Sequence, residues 1–231
     1  MSSRDAPIRR VPSPGPAWAR AKWWTLALLI LVVLVSAAMR VSIDWPNVAA
    51  GDVPDEGEFD RRYALHPVLA YAHILPGVVY LVGAPLQLSR RFRKRHLAVH
   101  RRLGRVLLPA GIAAGILGIA FGTLFPFGGP LEASATVVFG AYFVVALVRA
   151  LVAIRGGDVA RHRRWMIRAF AIGLAVGTIR VWVGLLAGLG FLSLEDSFGV
   201  AFWLSFAMHG LAAEAYLSRR PGAGGTGAPH A

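Results

Sequence analysis

The sequence predicts an all-α, polytopic membrane helical bundle with six transmembrane helices and both termini in the cytoplasm. The first observation is composition: 56% of the 231 residues are hydrophobic and 16% are charged, against about 45–50% and about 25% in soluble domains. The second is six apolar runs, each long enough for the roughly 20 helical residues that cross a bilayer. The third is a lopsided distribution of Lys and Arg, which orients the chain.

The apolar runs divide the chain into segments. The six spans are predicted at about 23–42, 63–88, 104–125, 134–154, 165–192 and 198–217. A basic arm (1–22) precedes the first span, which we interpret as an anchor. Small residues follow its apolar run, so it also fits a cleaved signal peptide. An exposed acidic loop (43–62) leads to a five-helix membrane domain (63–217), and a Gly- and Pro-rich tail (218–231) is predicted to be disordered.

Charge sorting sets the orientation. Nineteen of the 25 Lys and Arg lie in the arm, the 89–105 and 155–164 loops and the tail, whereas the opposite side of the membrane holds three. Because positive residues stay in the cytoplasm, the pattern predicts a multi-pass membrane protein with both termini on the cytoplasmic side. The net charge of +13 is thereby explained as an orientation signal in contact with anionic lipids of the cytoplasmic leaflet, not as a nucleic-acid surface.

Several classes of chemistry are excluded by the composition. The chain has no cysteine, so it has no disulfide, thiolate metal site, iron–sulfur cluster or covalently attached haem. It also contains no Gly-rich phosphate loop, nucleophile elbow or carboxylate-rich metal motif. The sequence therefore indicates no catalytic residues, and it leaves enzymatic activity open.

Two basic segments repeat. His100-Arg101-Arg102 and His162-Arg163-Arg164 are 62 residues apart, and each precedes a span that rises from the cytoplasm. We interpret the second and third spans, and the fourth and fifth, as parallel copies of one helical hairpin. Cations at a helix N-terminus oppose the macrodipole, so each copy is predicted to bind an anion or a lipid phosphate, with ordinary lipid contact as the alternative. The predicted residues are His100, Arg101, Arg102, Arg105, His162, Arg163, Arg164 and Arg168.

Polar residues recur along the second span at intervals of seven: His66, His73, Tyr80 and Gln87. A seven-residue step returns to nearly the same helix face, with a drift of about 20°. The stripe is therefore predicted to face the interior of the bundle. Ionisable groups within spans mark function by default, although hydrogen-bonded helix packing is the alternative.

Arg180 is the central charge of the fifth span. Glycines on its face (Gly173, Gly177, Gly184 and Gly188) predict a close helix contact. Glu214, the only acid within a predicted span, lies too far along its helix to be the partner. The expected partners are backbone carbonyls, a phenol such as Tyr80 or Tyr142, an acid of the outer loop, or a bound anion.

His209 of the sixth span lies at nearly the same predicted depth as His73. Two such imidazoles on facing helices could ligate the iron of a b-type haem, with Arg180 holding a propionate. Polar packing, proton handling and another ligand site are the alternatives. The cofactor is otherwise unknown.

These residues resemble a family of predicted bacterial membrane proteins catalogued as domain of unknown function 2306. The resemblance covers about 63–217 and rests on four features. They are His73, Gly77, Gly83 and Gln87; His100-Arg101 with Gly104-Arg105; His162 with Trp165, Met166 and Arg168; and Arg180. It implies a multi-span inner-membrane protein with a recurrent His and Arg set, but no assigned activity.

Three hypotheses follow. The first is an electron-transfer protein that binds b-type haem or quinone at a core site of His73, His209, Arg180, His66, Tyr80 and Gln87. The second is a non-redox transporter or lipid-interacting membrane protein. The third is a structural or assembly partner, supported only by the glycine faces of the third and fifth spans.

Overall fold

A computed structural model describes residues 16–219 of the chain, and every regular element in that range is a helix. The basic arm before residue 16 and the tail after residue 219 lie outside the described residues. The elements are α1 (Pro16–Ala50), α2 (Arg61–Leu65), α3 (Pro67–Leu88), α4 (Arg90–Arg95), α5 (Leu97–Leu124), α6 (Gly129–Arg155), α7 (Val159–Gly188) and α8 (Leu194–Ser218).

Six of these helices are long and apolar enough to cross a membrane: α1 from Trp23 onward, α3, α5, α6, α7 and α8. The predicted all-α fold with six spans is thereby confirmed. The helices alternate in direction, so their connections gather at two ends. We call the end formed by residues 51–66, 125–128 and 189–193 the acidic end. The end formed by residues 89–96 and 156–158 is the basic end.

Several helices are longer than predicted. Helix α1 continues to Ala50 through Pro46, so Asp44 lies in a helix and is 1% exposed, not in an exposed loop. Glu132, predicted just outside a span, is 2% exposed in the first turn of α6. Glu214 is therefore not the only acid in the spanning helices. His100 and His162 lie in the first turns of α5 and α7 rather than in loops. The apolar runs end where charge begins, whereas a helix continues wherever those charges find partners.

The bundle is built from helices that are neighbours in sequence. Helix α3 packs on α5, α5 on α6, α6 on α7, and α7 on α8, while α8 also returns to α6. Helix α1 packs along one side, against α3 and α7. The core lies between these helices around Tyr80, Phe143, Leu147, Ile172 and Phe206. Within the described residues, α3 and α8 make no contact.

The glycine face of α5 is used for internal packing. A Cβ atom at Gly111 would lie 2.7 Å from the Tyr80 ring, and one at Gly118 would lie 2.7 Å from the His73 ring. At Gly115 it would lie 2.6 Å from Val144. Small residues here let the helices approach closely. The glycines of α5 therefore need no second protein to explain them, and the assembly hypothesis loses this support.

The two hairpins keep a constant spacing. Helix α6 begins 62 residues after α3, and α7 begins 62 residues after α5, which is the offset of the two His-Arg-Arg segments. The same offset aligns Tyr80 with Tyr142 and Gly111 with Gly173. The Tyr80 ring packs against both of these glycines. This agreement supports the interpretation that α3–α5 and α6–α7 are copies of one unit.

Candidate functional site

Arg62 links three segments at the acidic end. Its Nη1 donates to Glu132 Oε1 at 3.1 Å and to the carbonyl oxygen of Phe125 at 3.2 Å. The other Glu132 oxygen accepts the backbone N–H of Gly128 at 2.6 Å. Rings surround the guanidinium with centroids 4.5–5.8 Å away: Phe59, Tyr63, Phe121, Phe127 and Phe198. This buried pair fastens α2 to the α5–α6 connection.

Arg40 forms a second pair of ionic contacts at the same end. Its Nη1 lies 2.6 Å from Asp60 Oδ1 and 3.3 Å from Asp44 Oδ1. The hydroxyl of Tyr71 donates to Asp44 Oδ2 at 3.0 Å. Helix α1 is thereby held to the acidic loop and to α3. Both acids are occupied within the protein.

Arg180 lies near these two clusters but forms no ion pair with their acids. Its Nη1 donates to the carbonyl oxygen of Val176, one turn earlier on α7, at 2.7 Å, and the side chain is exposed. In residues 16–219 it forms no ion pair with an acid. It interacts electrostatically with Arg40, Arg62 and His73. We call the region between α1, α3 and α7 that this side chain occupies the Arg180 crevice.

The two phenols expected as partners of Arg180, those of Tyr80 and Tyr142, do not form a hydrogen bond with it. Tyr80 is 3% exposed, and its hydroxyl has no hydrogen-bond partner among the described residues. Tyr142 instead donates to Glu214 Oε1 at 3.4 Å. One side of the crevice is closed by α1, because a Cβ atom at Gly177 would lie 2.8 Å from the Leu29 carbonyl oxygen. Of the expected partners, the structure supplies a backbone carbonyl as hydrogen-bond acceptor, and the phenol that interacts electrostatically with Arg180 is Tyr63.

The histidines predicted as axial ligands belong to different helix contacts. His73 Nδ1 lies 2.8 Å from the carbonyl oxygen of Ala114 on α5, whereas His209 Nε2 lies 2.8 Å from Thr178 Oγ1 on α7. Their helices, α3 and α8, do not pack together within the described residues. That part of the chain also contains no group of three or more His, Cys, Asp or Glu able to hold a metal ion. The geometry does not support a bis-imidazole haem site.

His66 lies at the acidic end, outside the helical part of the predicted stripe. It ends α2, precedes α3 and stacks on Phe125, with ring centroids 3.6 Å apart. It lines a cavity of about 260 Å³ together with Arg62 and Glu195. The stripe of four predicted residues is therefore divided among different environments, and only His73 reaches the Arg180 crevice.

Gln87 and His100 are neighbours at the basic end. Gln87 Oε1 lies 3.6 Å from the position of a Cβ atom at Gly104, one turn after His100 on α5. His100 interacts electrostatically with His162 of α7, although α5 and α7 do not pack together within the described residues. His162 Nδ1 lies 2.9 Å from the Ala150 carbonyl oxygen. His100 Nδ1 and Gln87 Nε2 are buried and have no hydrogen-bond partner among the described residues.

The arginines of the predicted anion sites fall into two groups. Four of them are exposed, namely Arg101, Arg102, Arg105 and Arg163. Arg164 is half-buried. Arg168 is committed within the protein, because its Nε and Nη2 donate to the two oxygens of Glu214 at 2.6 and 2.8 Å. Its guanidinium also lies 4.7 Å from the centre of the Trp165 ring. Arg168 is therefore not free to bind an anion.

The sequence indicated neither buried ion pair of the acidic end. Arg40 and Asp44 are four residues apart, the spacing of neighbours on a helix face, so a longer first helix would have predicted that pair. Arg62 and Glu132 are 70 residues apart and come from different helices. No local pattern could have joined them.

A comparison with family models identifies the family of the chain. The model described as predicted membrane protein (DUF2306) matches residues 70–217, which include α3 from its second turn, α5, α6, α7 and nearly all of α8. No curated protein and no solved structure matches the chain.

Proposed function

Since this chain belongs to the DUF2306 family of predicted membrane proteins, we propose that it binds the anionic group of a lipid or small solute in the Arg180 crevice. This is the non-redox alternative, a transporter or lipid-interacting membrane protein. The ligand chemistry is a phosphate or carboxylate, whose oxygens accept the hydrogen bonds of a guanidinium. Electron transfer through b-type haem or quinone has no comparable support, because the two histidines occupy separate helix contacts.

The observation that carries the proposal is the uncompensated charge of Arg180. An arginine in the middle of a span costs roughly 2.5–3.5 kcal/mol on insertion scales unless something offsets it. A hydrogen bond to its own helix satisfies one donor, whereas the guanidinium has five. The side chain is exposed, so the remaining donors can be reached. An anion would neutralise the charge and accept these hydrogen bonds.

The surrounding charges favour the same ligand. Arg40 and Arg62 lie within electrostatic range of Arg180 and are paired with Asp44, Asp60 and Glu132. Those acids are already used, so the local excess of positive charge remains at Arg180. His73 adds a polar group on α3 at the same place. A bound anion would interact with three arginines at once.

Binding can be tested on purified protein in a neutral detergent. Native mass spectrometry would count bound phosphatidylglycerol against phosphatidylcholine, and a thermal-shift titration with inorganic phosphate would test the free anion. We expect Arg180→Gln to weaken binding by about tenfold to a hundredfold, since a hydrogen bond to a charged group contributes about 1.5–3 kcal/mol. Arg180→Lys should retain part of it. Arg61→Gln is the matched control, because Arg61 lies at the same end and donates to Pro54.

The two arms distinguish the source of the anion. Selective retention of phosphatidylglycerol would identify a lipid headgroup, whereas saturable stabilisation by phosphate would identify a solute. Equal binding by Arg180→Gln and Arg61→Gln in both arms would refute the proposal. A reduced-minus-oxidised absorption spectrum of the same preparation checks the redox alternative, because a haem band would favour it.

We also propose that the basic end faces the cytoplasm of a bacterial inner membrane. The charge distribution supports this orientation, since Lys and Arg gather at one end. The absence of cysteine makes the test simple, because single cysteines can be introduced at exposed Asp52 and Arg91. A membrane-impermeant maleimide applied to intact inner-membrane spheroplasts should label Asp52→Cys and leave Arg91→Cys unlabelled. The reverse labelling pattern would refute this orientation and show that the basic end faces away from the cytoplasm.

A further inference from the structure

The basic end contains two buried polar groups that nothing in the described residues satisfies. The amide nitrogen of Gln87 and Nδ1 of His100 are both shielded from solvent, and neither has a hydrogen-bond partner there. They lie in the same region, because Gln87 Oε1 is 3.6 Å from the position of a Cβ atom at Gly104, one turn from His100 on α5. Buried polar groups are nearly always hydrogen-bonded in native proteins. Two unsatisfied neighbours therefore indicate a missing ligand.

The second copy of the hairpin shows what the first one lacks. His162 occupies the position of His100 in the repeat, and its Nδ1 lies 2.9 Å from the Ala150 carbonyl oxygen. That nitrogen is satisfied by the helix preceding it in the chain. The corresponding nitrogen of His100 has no such carbonyl. The two histidines thus differ in their hydrogen bonding although they occupy equivalent positions in the repeat.

The charges around His100 specify the sign of the ligand. Its electrostatic neighbours are Arg93 of α4, Arg101 of its own helix and His162 of α7, and no acid is among them. Asp158, the acid nearest to His162 in the sequence, caps α7 and accepts the backbone N–H of Arg161 at 2.8 Å. A cluster of cations and hydrogen-bond donors without a counter-charge is suited to an anion.

We propose that Gln87 and His100 form a phosphate-binding site between α3 and α5 at the basic end. The occupant is the phosphate group of an anionic lipid headgroup or a free phosphate ion. The Gln87 amide and the Nδ1–H tautomer of His100 donate to its oxygens, and Arg93 and Arg101 supply the positive charge. One site in the first copy replaces the two separate sites that the repeated sequence suggests. The site is independent of the Arg180 crevice.

The test uses the full chain purified in a neutral detergent and two probes. The first probe is inorganic phosphate, titrated against sulfate and chloride at constant ionic strength while the midpoint of thermal unfolding is followed. The second is phosphatidylglycerol against phosphatidylcholine in nanodiscs, with bound lipid counted by mass spectrometry after extraction. His100→Gln and Gln87→Leu are the test variants. His96→Gln is the matched control, because His96 is exposed, lies one turn before His100, and makes no side-chain cap.

We expect His100→Gln and Gln87→Leu each to weaken the response to one probe by about tenfold or more, with His96→Gln unchanged. A response to phosphate assigns a free anion, and a response confined to phosphatidylglycerol assigns a lipid. The variants of this site are compared in the Arg180→Gln background, in which the Arg180 crevice no longer contributes, so that the remaining response belongs to this site alone. A wild-type protein without a saturable response to either probe would overturn the proposal, and so would equal responses of His100→Gln and His96→Gln. If His100→Gln fails to fold, Gln87→Leu decides the outcome in the same way.

Discussion

Glu132→Gln should be among the most destabilising conservative substitutions in this chain. Glu132 is 2% exposed, and each of its oxygens has one donor, from Arg62 at 3.1 Å and from the Gly128 backbone at 2.6 Å. Removing one partner of a buried ion pair costs about 3–5 kcal/mol, because the other charge is left without compensation. The glutamine oxygen can keep the Gly128 bond, and the Phe125 carbonyl still accepts from Arg62. We therefore expect a loss at the lower end, about 3 kcal/mol.

The free energy of unfolding can be measured by titrating SDS into mixed micelles and following far-UV circular dichroism. Glu58→Gln is the control, since Glu58 is an exposed acid of the same end. In a double-mutant cycle, Glu132→Gln should cost little when Arg62 is already methionine, because no buried cation is then left alone. A difference of less than about 0.5 kcal/mol between Glu132→Gln and Glu58→Gln would refute the reasoning, since that is the range of ordinary surface changes.

Four further substitutions are informative in the same titration. Tyr71→Phe removes the hydroxyl that donates to buried Asp44 and should cost about 1–2 kcal/mol, whereas an unchanged midpoint would show that this bond is dispensable. Gly111→Ala should cost about 1–3 kcal/mol, because its methyl group would lie 2.7 Å from an aromatic ring of α3. Gly188→Ala, with no atom within 4 Å, should be neutral or stabilising, and equal losses would contradict the packing argument. Glu214→Gln should cost less than about 1 kcal/mol despite its 2.6 Å contact, because that carboxylate is 50% exposed; a loss like that of a buried pair would contradict this.

The number and type of the helices were predictable because they depend on composition. Six apolar runs needed six helices, since an unpaired backbone polar group is too costly in lipid. The ends of the helices depend instead on individual side chains. Helix α1 passes the predicted boundary because Asp44 pairs with Arg40 one turn earlier and accepts a hydrogen bond from Tyr71 of α3, and the partner on α3 is not visible in a local window. The lengths of α1 and α6 were therefore underestimated where a buried acid has a partner.

The pairing of His73 with His209 was predicted from depth alone. Depth along the bundle fixes one coordinate, whereas two ligands must also be on adjacent helices and face each other. The structure gives each histidine a different neighbour, Ala114 on α5 and Thr178 on α7. Arg180 was expected to lack an acid partner because Glu214 was the only acid in a predicted span. The structure gives the same outcome for a different reason, since Asp44 and Glu132 also lie in spanning helices but pair with Arg40 and Arg62.

The two copies of the hairpin diverge where the polar chemistry lies. In the first copy, Gly118 leaves room for the ring of His73, which a Cβ atom would approach to 2.7 Å. Sixty-two residues later, Ala135 stands at the position of the histidine, and Arg180 stands at the position of the glycine. Ala135 is fully buried and small, so α6 presents no polar group there. The first copy therefore places an imidazole between its own helices, whereas the second places a cation beside α1 and α3.

The basic ends of the copies differ in the same manner. Gln87 of the first copy corresponds to Arg149 of the second, whose guanidinium lies 5.2 Å from the centre of the Trp165 ring. That arginine has an aromatic partner within its own copy, whereas the amide nitrogen of Gln87 has none among the described residues. Positions at which the copies agree, such as the glycines around Tyr80, build the packed core. Duplication thus supplied a common scaffold, and the departures from it include the two places where we expect anions to bind.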